Sequence, residues 1–467
     1  MPAFPGIGSG EVIDWALAIT GKLMLKGTGT AFTWTGTGTS TGITGIGTST
    51  STAVSYPGTT VPGLQYLDGS FYVMEPDGTI NNSSPALDDP TTWPTDGFIS
   101  AQFEPDSGVF LGKALNCIVA FGQWTTELFW DQGGTTGSPL SPVQNGVLLI
   151  GCASAYSVAQ TESTLIWMAQ RKAQNSTAQQ GRFIAMLTGT SYEELSTPDI
   201  CRVLDLDTLV GVRSCIIELG GHSWYVLTLG ATGITLVYDM KNKEWYVWTR
   251  LAAGSPVTIA SITQTNGLVT GTATNHGMSD GDPAVVAGVS SSFNGTWNMN
   301  VQSAHAFTYP TTMTGTTTGT GASKTLTPYT ESAFAMVSAM GYGGQQVVMD
   351  TSGNVYALSM TAAQDDGSLP INWRIRTQSM DEGNNDRKFA HAVTILGDIA
   401  GTATGLLRNT DNDYQSYSYF RRFDLSQTKC DQYRWGNFRR RAWEWRYTDR
   451  ERLRIKMLEV ELTQGVT

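Results

Sequence analysis

No apolar run in the 467-residue sequence approaches the ~18 residues of a membrane-spanning helix, so no span is expected. The opening, MPAFPGIGSGEVIDW, has neither a basic region nor an apolar core, which predicts no secretory signal and folding in a cytoplasm. The five cysteines, Cys117, Cys152, Cys201, Cys215 and Cys430, form no CxxC pair, and an odd number excludes a complete disulfide framework. Reduced core thiols are expected instead. The four histidines, His222, His276, His305 and His391, are isolated, so no zinc centre and no cofactor are predicted. Stretches of helix-forming residues are few.

What the chain does have is glycine (52), abundant Thr and Ser, and 14 tryptophans within a 40% hydrophobic composition. That is enough apolar material for a large core, and it points to an all-β protein. Charge is unevenly distributed. The net charge is −11, yet Arg421 to Lys456 holds 12 Lys and Arg against five Asp and Glu, so this block carries +7 and the remainder −18. An acidic body disfavours binding along DNA, because affinity for DNA comes largely from neutralising phosphates.

Strand signals recur. CIVAFGQWTTELFWDQG (117–133), TLIWMAQ with GRFIAMLTGTSYEELS (164–196), HSWYVLTLGATGITLVYDMKNKEWYVW (222–248) and QQVVMDTSGNVYALSM (345–360) each read as short strands separated by Gly, Asn or Asp turns. Strand, turn and a strand ending in Trp or Tyr, repeated without strict period, predicts the blades of a β-propeller; a two-sheet sandwich is the competing architecture. Within LVYDMKNKEWYVWTR (236–250) the pattern is a hairpin. Trp245 and Trp248, three apart on one strand, should face opposite sides and serve inter-blade packing.

Two segments interrupt the pattern. Residues 27–60 are a Thr/Gly/Ser tract, expected to project as an exposed loop, and residues 256–330 begin and end with turn-rich boundaries, expected to enclose an inserted small β domain. The expected organisation is therefore 1–255 for the first part of the propeller, 256–330 for the insert and 331–467 for closing blades with basic C-terminal strands. An insert whose ends lie together should be removable at little cost to its host.

The C-terminal block alternates. Arg439, Arg441, Trp443, Trp445 and Tyr447 share one strand face in this pattern, and Arg440, Ala442, Glu444 and Arg446 the other. Arginine among aromatics and carboxylates points to internal packing or subunit contact, with DNA or an acidic protein as the other partners such a face could serve.

Motifs that would make the chain an enzyme are incomplete. Gly38 to Gly42 matches GxSxG without the apolar strand or helix of a nucleophile elbow, and GTGASKT (319–325) has Ser323 where a phosphate loop needs Gly. Asn409, Asp411 and Asp413 have the spacing of a calcium loop, but Tyr414 stands where Gly is needed, so a hairpin turn is the better reading. Carboxylate pairs at Glu193/Glu194, Asp205/Asp207 and Asp365/Asp366 sit in turn contexts, and His222 beside Trp224 reads as a satisfied strand residue.

LDDPTTWPTDGFISAQFEPDS (87–107), IVAFGQWTTELFWDQG (118–133) and SPVQNGVLLIGCASAYSVAQTESTLIWMAQ (141–170) resemble consecutive segments of the packaged-DNA stabilisation, or tail nozzle, proteins of short-tailed bacteriophages. The order of features agrees: a Trp-rich segment, then Thr126, Glu127, Trp130 and Asp131, then Gly151, Cys152 and Ala153. The segment 408–462 resembles that family's last blades. The resemblance covers 87–250 and about 370–465 and fails at the start, where a short Pro/Gly lead replaces the family's opening strand. It implies a β-propeller subunit of a ring, typically a hexamer, in the virion tail. Such a ring lies below the head-to-tail adaptor proteins, adjoins tail fibre, spike or needle proteins, retains packaged DNA and passes it during ejection without sequence-specific binding. An acidic lumen suits that passage, since a cationic wall would hold phosphates at every step. A propeller binding glycans or a receptor through exposed Trp and Tyr is the alternative.

Overall fold

The structure, a computed structural model, describes residues 12–27, 31–35, 50–54, 59–84, 88–134, 136–161, 163–172, 179–362, 364–365, 369–381, 383–401, 403–449 and 451–465. Two compact units result: residues 1–248 with 335–358, and residues 249–334 with 359–467.

The first unit is a series of six antiparallel sheets, each built from strands local in sequence. Their first strands are Asp14–Leu17, Gln65–Leu67, Gly108–Ala114, Gly151–Cys152, Arg213–Leu219 and Met336–Tyr342. The first three sheets and the fifth are four-stranded up-and-down meanders in this unit; the last has three strands among the described residues. This is an all-β propeller.

Why the sheets stack is legible in single strands. In Ser70–Met74 every residue is buried, Phe71 and Val73 against the first sheet's Ala16, Met24 and Ala31, and Tyr72 and Met74 against the third sheet's Leu111, Ile118 and Phe129. Leu165–Lys172 repeats the device: Leu165, Trp167 and Ala169 pack on the third sheet with Phe121, whereas Ile166 and Met168 pack on the fifth with Tyr225 and Leu227. A strand apolar on both faces cannot sit at a water-facing surface, so its unbroken apolar run specifies a middle position between blades. The expected hairpin forms from Thr235–Asp239 and Glu244–Ala253, with Tyr238 opposite Trp245 and Thr235 opposite Trp248.

Trp245 lies half-buried toward the fourth sheet, its indole N–H donating to the Leu195 carbonyl at 2.8 Å and its ring 5.1 Å from Tyr238. Trp248 faces the other way and meets Trp224 of its own sheet edge-on at 5.9 Å. The one α-helix among the described residues, Pro198–Leu206, is capped by Thr197 and buries Leu204 between the fourth and fifth sheets. In the Thr/Gly tract, Ala31–Thr35 pairs with Thr50–Val54, and residues 36–49, with the GxSxG match, lie outside the described residues.

The second unit holds the inserted segment and the C-terminal strands. Glu244–Ala253 continues into pairing with Thr325–Ala333, and Val257 pairs with Leu326, so the entry and exit of the segment lie together. Ile259, Ile262, Val269, Phe293, Phe307 and Tyr309 form a core within it. Beyond it, one sheet runs Trp373–Arg376, Ala442–Tyr447, Thr404–Thr410, Arg421–Asp424, and a second runs Lys429–Phe438, Lys388–Gly397, Ile455–Gln464. The two share one core around Val393, Leu407, Phe423 and Trp435. The stretch expected to supply closing blades is thus divided: 335–358 belongs to the first unit and 359–467 to the second.

Replacing Trp245 by Ala removes half-buried aromatic surface and leaves the Leu195 carbonyl unpaired, for an expected loss of about 2–3 kcal/mol in urea unfolding. Trp248→Ala, which loses a contact inside one sheet, should cost less, about 1–2 kcal/mol. The reverse order would contradict the assignment of Trp245 to the seam between blades.

Candidate functional site

The C-terminal strand Ala442–Tyr447 organises the second unit by alternation. Trp443, Trp445 and Tyr447 turn into the shared core, at 3–5% exposure. Arg441, just before the strand, is 3% exposed and joins that side. Its guanidinium grips Asp411 through Nε–Oδ1 at 2.7 Å and Nη2–Oδ2 at 2.8 Å, donates to the Trp435 carbonyl at 2.8 Å, and lies 4.2 Å over the Phe438 ring. The Asp411 carboxylate is therefore committed to an arginine, which explains the calcium-like spacing of that turn without a cation. Arg439 departs from the expected face: the chain bends at 439–440, and Arg439 is exposed, donating to the Asn385 carbonyl at 2.9 Å.

The opposite face carries Glu444, with no solvent exposure. Three guanidiniums converge on it: Arg376 Nε at 2.6 Å from Oε2, Arg408 Nη2 at 2.7 Å from Oε1, and Arg446 Nε at 3.0 Å from Oε1. Arg408 in turn lies 3.9 Å over Tyr417 and 4.4 Å over Phe420. Burial would raise the Glu444 carboxyl, but Arg376, Arg408 and Arg446 outweigh it and hold the group below the usual carboxylate range.

These bonds extend into the inserted segment. Arg446 pairs with Asp282 at 3.3 Å, Arg422 donates to the Asn300 side chain at 2.7 Å, and Thr448 donates to Asn298 at 2.8 Å. Burial raises the Asp282 carboxyl despite the Ser279 amide and Arg446. A polar cleft of about 210 Å³ remains beside them, lined among others by Ser279, Asp282, Glu331, Asn372, Arg374 and Arg446. Its charges are matched internally, Arg374 to Glu331 at 2.9 Å and Arg446 to Asp282. The inserted segment is thus bonded to partly buried arginines, and its removal would strand them; a costless deletion is not what these contacts imply.

The remaining candidates have structural employment. His222 Nδ1 lies 2.8 Å from Asp239, whose carboxylate also accepts from the Lys241 and Asn242 amides and so ties the hairpin turn. Glu193 and Glu194 pair separately with Lys243 and Arg171, and Asp207 accepts from the Leu209 and Ala231 amides. A strand, Thr325–Ala333, follows Lys324 where a phosphate loop requires a helix. Sequence reasoning named Glu444 only as a face residue and did not single out Arg376, Arg408, Arg422 or Asp282. Each is an isolated charge in a strand or turn pattern, and nothing local marks its partner.

A family profile described as "Bacteriophage P22 Gp10, beta-propeller" matches residues 16–276, which hold nearly all of the first five sheets and the opening of the inserted segment. The match includes the N-terminal sheet, where the sequence had seemed to leave the family, and ends before the C-terminal strands. No curated protein matches the chain. Among solved structures the chain is similar to BamB from Moraxella catarrhalis at 12% identity, covering 75% of this chain and 84% of that one with a TM-score of 0.33. It is similar to Sqt1 from Saccharomyces cerevisiae at 10% identity over 79% and 89%, TM-score 0.35.

Glu444→Gln should destabilise the second unit by about 2–4 kcal/mol at neutral pH, because the exposed Arg376 and the partly buried Arg408 and Arg446 lose their shared counter-charge. The sign with pH is fixed by the depressed carboxyl: its contribution is full above the unfolded value, about 4.3, and is lost as pH falls through the folded value. The gap between wild type and variant should therefore narrow below about pH 4 in chemical unfolding. An equal gap at pH 3 and pH 7 would contradict the assignment.

Proposed function

We propose a tail-nozzle role from one premise: the chain belongs to the bacteriophage P22 Gp10 β-propeller family. A member of that family is a structural protein of the phage tail. The finer reading is that copies of this chain, six in the expected ring, form a conduit below the head-to-tail adaptor, next to fibre, spike or needle proteins. The conduit retains the packaged genome and lets it pass during ejection.

The family match carries this reading, and charge supports it. With 22 acidic and 10 basic side chains the first unit has a net charge of −12; the second, with 18 acidic and 19 basic, has +1, and together they give the chain's −11. An acidic propeller repels DNA and so does not trap it. In the second unit, which would be the natural DNA clamp, Arg376, Arg408, Arg441 and Arg446 are engaged with carboxylates of the same chain. Guanidiniums committed in this way displace few counterions from DNA.

Negative-stain imaging of virions labelled with an antibody to this chain is expected to mark the tail immediately below the head, and particles assembled without the chain should lose their DNA after packaging. Label confined to fibre tips, or DNA-filled particles that stay intact without the chain, would overturn the nozzle reading in favour of a receptor-binding role.

A further inference from the structure

Two ion pairs wall the cleft of about 210 Å³ in the second unit. Arg446 meets Asp282 at 3.3 Å and Arg374 meets Glu331 at 2.9 Å, so the four charged side chains of the lining sum to zero. A charged ligand would have to break one of these pairs to gain a partner, which sets phosphate, a metal ion and a free amino acid at a disadvantage. A neutral ligand has nothing to break.

The pairs are satisfied in charge and unsatisfied in hydrogen bonding. A guanidinium has five N–H donors and a carboxylate about four acceptor positions. Arg374 spends two donors on Glu331, and Arg446 spends one on Glu444 and one on Asp282. Glu331 accepts a third bond from the Asn372 amide group at 3.2 Å, and Asp282 accepts from the Ser279 amide at 2.7 Å. That leaves donors and acceptors side by side along the wall, and the side chains of Arg374 and Glu331, at 31% and 28% exposure, are reachable from water. Leu251 and Pro283, both buried, add apolar surface to the same lining.

We propose that this cleft is a saccharide site that takes one neutral pyranose unit. A hydroxyl donates and accepts at once, so neighbouring sugar hydroxyls suit alternating guanidinium, amide and carboxylate groups, while the ring's C–H face suits the apolar part of the lining. The volume agrees, because it falls below the ~300 Å³ at which sites for drug-sized ligands begin and so fits a single ring. A free monosaccharide and the terminal unit of a glycan share this chemistry; they differ at the anomeric oxygen, which the glycan carries substituted. The tail role neither requires nor supplies the site, so the two readings stand independently.

Saturation-transfer NMR on the full-length chain tests it, with the pyranoses and methyl pyranosides of glucose, galactose, mannose, rhamnose and N-acetylglucosamine at about 20 mM, since a ligand of about a dozen heavy atoms binds in the millimolar range. Transfer to at least one sugar is expected. A methyl glycoside that binds as well as its free sugar assigns a glycan terminus, and binding of the free sugar alone assigns a monosaccharide. Asn372→Ala and Ser279→Phe, one trimming the wall and the other filling the cleft, should each weaken binding about fivefold or more at an unchanged melting temperature. Photo-crosslinking of a diazirine derivative of the bound sugar to the wild type should label peptides holding residues 277–283 or 372–374, which places the site without any variant. Silence across the whole panel, labelling elsewhere, folded variants that bind normally, or displacement of the sugar by equimolar glycine or inorganic phosphate would each overturn the proposal.

Discussion

A carboxylate without any access to water, held by three guanidiniums, is the constraint on which the second unit depends. Glu444 could not be buried alone, because desolvating a single charge costs several kcal/mol, and Arg408 and Arg446 could not be partly buried without it, while Arg376 reaches it from the solvent side. Four charges in one site leave an excess of two positive, which Asp282 reduces and which Tyr417 and Phe420 accept on their ring faces. The requirement fixes more than one sheet, since Asp282 belongs to the inserted segment and Arg376 to the strand beside Ala442–Tyr447. The other face of that strand is an aromatic core, so a single alternating strand sets both the apolar and the ionic halves of the unit.

The first unit solves a different problem by repetition. Its middle strands bury both faces, and its net charge is acidic. A surface of that sign makes the unit a poor ligand for DNA, which agrees with the conduit proposed above.

How much of this was legible follows from range. The apolar run Leu165 to Ala169 identified a strand, and the Asp-led turn at 239–243 identified its hairpin, because both signals are local; the run Phe71 to Met74 carries the same signal and was not singled out. The alternation of Trp443, Trp445 and Tyr447 was likewise readable, but the bend at 439–440 breaks it and sends Arg439 elsewhere. The helix Pro198–Leu206 was overlooked although Thr197, Pro198 and Asp199 spell an N-terminus, since a short helix has little weight against a β-rich background. Partners of Glu444 lie 36 and 68 residues away at Arg408 and Arg376, and Asp282 lies 164 residues from Arg446; no spacing rule connects them. For the same reason the division of 331–467 between two units was not visible: which strands share a sheet is decided by pairing at long range.

The central claim is that Arg376, Arg408, Arg441 and Arg446 are spent on carboxylates of the same chain, so that the acidic protein has too few free cations to hold DNA. Fluorescence anisotropy of labelled duplex DNA, titrated with the full-length chain across a salt series, tests it most directly. The account predicts no saturable binding near 0.15 M salt and a salt slope at lower concentrations worth no more than about two phosphate contacts. Saturable binding at that salt with a slope worth about six or more contacts, lost when exposed Arg439 and Arg440 are changed to Ser, would contradict it.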